Sequence, residues 1–176
     1  MQPKISVEKL EKFNSMDIED ICDATIDTMK ETSGFNIGTQ SITPVQRSQI
    51  MAYWEGVLLV PERILFVGRL DGVIAGAAQL VKPSPNNQIS LFACNIDNHF
   101  VAPWARGHGI SNLLLDYIET EARLLGYSII KLSVRETRQA AISVFEKRNY
   151  VRWGILPKYE VDKGEIVSGY FYYKEL

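Results

Sequence analysis

Val101-Ala102-Pro103-Trp104-Ala105-Arg106-Gly107-His108-Gly109-Ile110-Ser111 is the stretch from which the rest of the chain falls into order. Ahead of it, residues 89–101 read as one long strand, unusually polar towards its end at Asn95, Asp97 and Asn98. Behind it, Ile110, Leu114, Ile118, Ala122 and Leu125 recur at helical spacing, and Gly126 supplies the stop. A strand that passes through a glycine-rich turn into an amphipathic helix suits anion binding. Gly107 and Gly109 allow tight turns and put no Cβ between backbone and ligand. The first N–H groups of the helix have no intrahelical acceptor and sit at the positive end of its dipole, so they receive phosphate well. Arg106 adds a guanidinium that can fork onto a phosphate oxygen. The turn is not a P-loop, because it lacks the Gly-Lys-Ser/Thr ending. It is not a Rossmann turn, because it lacks the third glycine and the downstream acid.

Working outward, apolar residues at helical spacing predict a helix over 17–32, capped by Ser15 or Asp17. A loop rich in Gly, Asn, Ser and Thr follows at 33–43, and Pro44 starts a second helix that runs to 58. Strands at 64–69 and 73–81 flank an Asp71-Gly72 hairpin turn. After the central strand and helix come a strand at 128–134, a compact helix at 140–148, and closing strands at 151–153 and 167–173. The run Tyr170-Phe171-Tyr172-Tyr173 reads as alternating core and surface of the last strand, and Trp104 and Trp153 as packing or site-lining rings. Antiparallel strands followed by strand-helix-strand predict an α/β (α+β) fold. It is a mixed, mostly antiparallel twisted sheet with helices on both faces and one parallel strand-helix-strand crossover.

Composition narrows the function. The 176 residues are 46% hydrophobic and 23% charged, the balance of a soluble globular protein. That length predicts one domain over 1–176, able to bury a core without disulfides. A formal charge of -2 argues against a nucleic-acid partner. Cys22 and Cys94 lie far apart with no Cys or His at ligand spacing, which predicts reduced thiols and no metal site. Met1-Gln2-Pro3-Lys4 leads into charged residues instead of a signal peptide, and no stretch nears the roughly 20 apolar residues of a membrane span. The expected location is therefore cytoplasmic, away from the membrane.

The sequence resembles the GNAT superfamily of N-acetyltransferases from residue 64 to 176. The family's pyrophosphate motif, Arg/Gln-x-x-Gly-x-Gly/Ala after a Val-x-Pro strand end, is matched by Arg106, Gly109 and Ser111, with Val101 and Pro103 upstream. Its second motif is matched by Ala141-Ile142-Ser143-Val144-Phe145 and then Asn149-Tyr150. Four positions depart from the pattern: Ser111 replaces a Gly/Ala, and Arg138 stands where Asn is frequent. Phe145 stands where a tyrosine often donates a proton, and Asn149 replaces a glycine.

The resemblance implies acetyl-CoA as cosubstrate and direct attack of a small-molecule or peptide amine, with no acyl-enzyme. A homodimer is compatible with it. It places the cofactor on His99, Phe100, Val101, the 106–111 turn including Gly107, His108 and Ile110, and on Arg138 and Phe145. The oxyanion donor becomes a backbone N–H around Phe100 and Val101. On an ideal strand Asp97 and His99 share one face with Val101, so either could activate the amine. With Phe145 apolar, Tyr150 and Tyr159, the latter placed in a loop before the last strand, are the candidate proton donors to the thiolate. The rival reading is a domain that binds acetyl-CoA without turnover, as a sensor or interaction module.

Overall fold

Asn14 opens the first helix. Its side-chain oxygen accepts the N–H groups of Met16 (2.9 Å) and Asp17 (2.8 Å), so the cap lies one residue before the expected Ser15. Asp17 is turned inward instead, where Arg69 donates to it at 2.8 Å. The protein is described here from a computed structural model that covers residues 2–31 and 47–176. The expected loop at 33–43 and helix start at Pro44 lie outside those residues.

In chain order the elements are β1 (Ile5–Leu10), α1 (Ser15–Glu31), α2 (Arg47–Leu59), β2 (Arg63–Leu70), β3 (Val73–Val81), β4 (Ala93–Val101), α3 (Ile110–Leu124), β5 (Ile129–Arg135), α4 (Gln139–Lys147), β6 (Val151–Asp162) and β7 (Glu165–Glu175). The strands form one sheet in the order β1-β2-β3-β4-β5-β7-β6. Every neighbouring pair is antiparallel except β4 and β5, which α3 connects. The mixed sheet with one parallel crossover is thus as expected. Asp71 (φ 50°) and Gly72 (φ 91°) both take the left-handed conformation that the predicted hairpin turn requires. Asn149 (φ 65°) does the same at the position where the motif has glycine.

Helices cover both faces. On one, α3 and α4 bury Ile110, Leu114, Ile118 and Phe145 against Cys94, Ile96 and Leu80 of the sheet. On the other, α1 and α2 bury Ile21, Ile50 and Trp54 against Val67, Ala77 and Phe100. The indole N–H of Trp54 donates to Thr25 Oγ1 at 3.0 Å, which satisfies the one polar atom of a fully buried ring.

Four expectations shift. β1 was not anticipated, because only Val7 of its six residues is buried and it forms by edge pairing from Ile5↔Leu70 to Leu10↔Leu65. The strand expected from 89 starts at Ala93; Gln88–Ser90 is a single 3-10 turn with Ile89 in solvent. β6 and β7 extend well beyond 151–153 and 167–173 as one long hairpin, turned at Lys163 (φ 50°) and Gly164 (φ 84°). The most consequential change is in β4. Ala77 pairs with Phe100 and Gln79 with Asp97, so Asn98 and His99 together face Ala78, and Asn98 adopts φ 46°. This bulge resets the alternation of the strand.

Glu119 fastens α3 to the end of the sheet. It is 4% exposed and accepts from Tyr150 Oη (3.1 Å), Lys174 Nζ (2.8 Å) and Arg148 Nε (3.3 Å). Removing it leaves two largely buried cations without a carboxylate they share. Glu119→Ala should therefore cost about 3 kcal/mol in chemical denaturation. Among the described residues Asp27→Ala breaks an exposed i,i+3 pair with Lys30 and should cost under about 1 kcal/mol. Equal losses would refute the anchoring role of Glu119.

Candidate active site

β4 and β5 pair only at Ala93↔Ile129, Cys94↔Ile130 and Asn95↔Lys131, although β4 runs on to Val101 and β5 to Arg135. Beyond Asn95 the two strands diverge. Between them opens a cleft of about 690 Å³, walled by Ile96–Val101, the turn before α3, the end of β5, the start of α4 and Tyr159.

The glycine turn forms one end. Gly107 (φ 81°) and Gly109 (φ 84°) are left-handed, and Gly109 is the N-cap residue of α3. A Cβ at either would meet no protein atom within 4 Å. Backbone conformation is what requires glycine here, and the turn presents bare backbone to the cleft. Ser111 and Ile110 line the cleft, and Ile110 also belongs to the core under α3. Arg106 donates to Glu31 Oε2 at 2.6 Å, an exposed ion pair to the end of α1. Arg138 also lines the cleft and makes no ion pair among the described residues; burial, then the guanidinium of Arg135, lowers its pKa. His108 departs from expectation: its Nδ1 lies 3.2 Å from the Ala105 carbonyl, and the ring is not part of the cleft wall.

The β4 bulge separates the two base candidates, correcting the reading that puts them on one face. Asp97 lies across from Gln79 on the α1/α2 side. Arg63 donates to Asp97 Oδ2 at 2.8 Å and also to Gln79, whose amide nitrogen donates to Tyr53 Oη at 3.1 Å. Asn98, the bulge residue, is held by the same Tyr53 hydroxyl. His99 turns to the α3/α4 side, its Nε2 3.3 Å from the Ser111 carbonyl and 3.2 Å from Ser111 Oγ, its ring 5.5 Å from that of Phe145. Burial pushes the His99 pKa down to about 4. His99 is thus a weak base tied to the first turn of α3.

The two tyrosine candidates also separate. Tyr150 is 3% exposed, donates to Glu119 and lies outside the cleft wall, with burial raising its pKa. Its ring packs behind Phe145, centroids 5.6 Å apart, so Tyr150 is corrected from site residue to core residue. Tyr159 sits within β6, not in a loop, and lines the cleft. Its Oη is 2.6 Å from Ser133 Oγ on β5. Burial, with the charges of Glu160 and Asp97 adding, holds its pKa above the ordinary value, against the opposing Ser133 hydrogen bond.

Neither thiol reaches the cleft wall. Both are buried, and burial pushes Cys22 up to about 11 and Cys94 up to about 12. Among the described residues no His, Cys, Asp and Glu group is arranged to hold a metal, and no helix is long and apolar enough to cross a membrane.

The sequence model of the acetyltransferase (GNAT) family matches residues 28–150. An uncharacterized N-acetyltransferase in the hisH-hisA intergenic region of Azospirillum brasilense is 47% identical over 135 residues, 77% of this chain and 78% of that one. Among solved structures, a putative acetyltransferase from Salmonella typhimurium with its cofactor acetyl-CoA superposes with a TM-score of 0.74 at 16% identity, covering 98% of this chain and 94% of that one. An acetyl transferase from the same organism that modifies the N-terminal serine of ribosomal protein L7/L12 gives 0.77 at 12% identity, covering 98% and 95%.

The half-buried imidazole makes a pH prediction. The His99 pKa of about 4 in the folded chain lies below its ordinary 6.5, so acid favours the unfolded state. Stability should fall as pH drops from about 6.5 to about 4 and lose nothing further to this group below that. Replacement by glutamine should flatten that part of the curve, and an NMR titration should place the His99 midpoint near 4. A midpoint near 6.5 would put the ring in solvent.

Proposed function

The chain belongs to the acetyltransferase (GNAT) family, and we propose that this acetyl-CoA-dependent acyltransferase moves an acetyl group to a primary amine by direct attack in a ternary complex, with 1–176 acting as one domain. One observation carries the reading: the cleft between β4 and β5 has an anion-receiving turn at one end and Asp97 and Tyr159 on its wall.

The cosubstrate fits the residues present. The N–H groups of the 107–111 turn receive the pyrophosphate, with Arg106 turning from its exposed partner Glu31 towards it. Arg138, a cation without an ion pair among the described residues, takes a further phosphate oxygen. The pantetheine arm lies along His99–Val101, against the apolar ring of Phe145. The N–H of Ala102 is spent on the Ala75 carbonyl at 2.7 Å. Strand alternation therefore turns the Val101 N–H to the edge that β5 has left, where it polarises the acetyl carbonyl.

An alkylamine has a pKa of about 10 and must lose a proton to attack. Asp97, through a water, accepts it. The nitrogen–carbon bond forms, the carbon–sulfur bond breaks with its electron pair leaving on sulfur, and the second nitrogen proton passes through the same water to solvent. Tyr159, kept protonated by its surroundings, returns a proton to the thiolate and recovers its own from solvent. His99 holds Ser111 and the start of α3 in place.

Acetyl-CoA at 100 times its dissociation constant should add about 2.7 kcal/mol to stability, and Arg138→Glu should reduce that gain. No thermal shift at saturating acetyl-CoA would sink the reading. In an amine panel assayed by CoA release, at least one primary amine should be acetylated. Asp97→Asn should slow turnover about a hundredfold at neutral pH, and less in alkali, with acetyl-CoA affinity unchanged. A pH profile superimposable on wild type would clear Asp97.

A further inference from the structure

Tyr159 reaches the cleft from β6, the outermost strand, by crossing β7 to meet Ser133 on β5. Two features of the hairpin permit this. Leu156 pairs with Gly169 and Glu160 with Val167, so Pro157, Lys158 and Tyr159 together face Ser168, and the bulge lifts Tyr159 off the ladder. The ring then lies on Gly169. A Cβ built there would stand 2.2 Å from the Tyr159 Cγ, 2.5 Å from Cδ1 and 2.7 Å from Cδ2.

The backbone of Gly169 is not left-handed, so any L-residue could adopt its φ. Space alone requires glycine. The atoms met are the root of the tyrosine ring, not the end of a flexible chain, so an added methyl must displace the whole side chain. The ring is further set by the edge of Phe171, with centroids 5.5 Å apart and planes at 81°, and by the Ser133 hydroxyl.

We propose that Gly169 is a positioning residue for acetyl transfer: its missing Cβ seats the Tyr159 ring so that the hydroxyl, held by Ser133, points at the departing sulfur. The proposal rests on the reading of Tyr159 as proton donor. Gly169 touches no substrate and acts only through that ring.

The test compares wild type, Tyr159→Phe, Gly169→Ala, Ser133→Ala, and the last two each combined with Tyr159→Phe. Each is assayed for CoA release with the fastest amine of the panel, after circular dichroism confirms the fold. Gly169→Ala should lower kcat tenfold or more, with the KM for acetyl-CoA within about twofold of wild type. Ser133→Ala should lower kcat several-fold with no steric change. Neither should slow the Tyr159→Phe enzyme further, and both should lose the alkaline fall in kcat that titration of the phenol gives wild type. If Gly169→Ala slows both backgrounds equally, or if it and Ser133→Ala keep wild-type kcat while Tyr159→Phe is slow, the positioning role is overturned. Should Gly169→Ala fail to fold, the Ser133→Ala pair decides. Full kcat in Tyr159→Phe would instead overturn the proton-donor reading itself.

Discussion

Two parallel strands that hydrogen-bond briefly and then part leave backbone N–H and C=O groups unmatched in the middle of a sheet. Such groups need partners, and here the gap is too wide for the neighbouring strand to supply them. The sheet tolerates it because both strands are held from their other sides, β4 by β3 and β5 by β7. Two packed cores, one on each face, keep the halves from closing. A long polar ligand that pairs like a strand is the natural occupant of such an edge.

The bulge at Asn98 gives that edge two different sides. Upstream, Asp97 belongs to the face of α1 and α2, with Arg63, Gln79 and Tyr53. Downstream, His99 belongs to the face of α3 and α4, with Ser111 and Phe145. One inserted residue thus assigns the carboxylate to the face of α1 and α2 and the imidazole to the face of α3 and α4. A regular strand would have stacked both on one side and left the other without a titratable group.

What was legible in the sequence was whatever one segment encodes by itself. The glycine turn, the helical spacing of α3 from Ile110 to Ala122, the Asp71-Gly72 hairpin and the Ala141–Phe145 helix turn read correctly from local pattern, whereas Leu125, placed on the same apolar face, is exposed beyond the helix end. What escaped belongs to pairs of strands. β1 is too polar to announce itself and exists because β2 offers an edge. A bulge is a mismatch between two strands, so the periodicity of β4 alone put Asp97 and His99 together. Tyr150 stood near Phe145 in sequence, yet the turn at Asn149 carries it into the core, whereas Tyr159, distant in sequence, arrives by crossing a strand. The glycine that admits it carries no local signature, because its φ is ordinary.

Every turnover of an acyltransferase that uses acetyl-CoA releases a free thiol beside the protein's own cysteines. Thiol–disulfide exchange needs an accessible thiolate as attacker or as capture site. Cys22 and Cys94 are both buried, with thiols pushed up to about 11 and about 12, and neither borders the cleft. Oxidised CoA therefore finds no sulfur on the described surface to form a mixed disulfide with, and the enzyme is spared covalent capture by its own product.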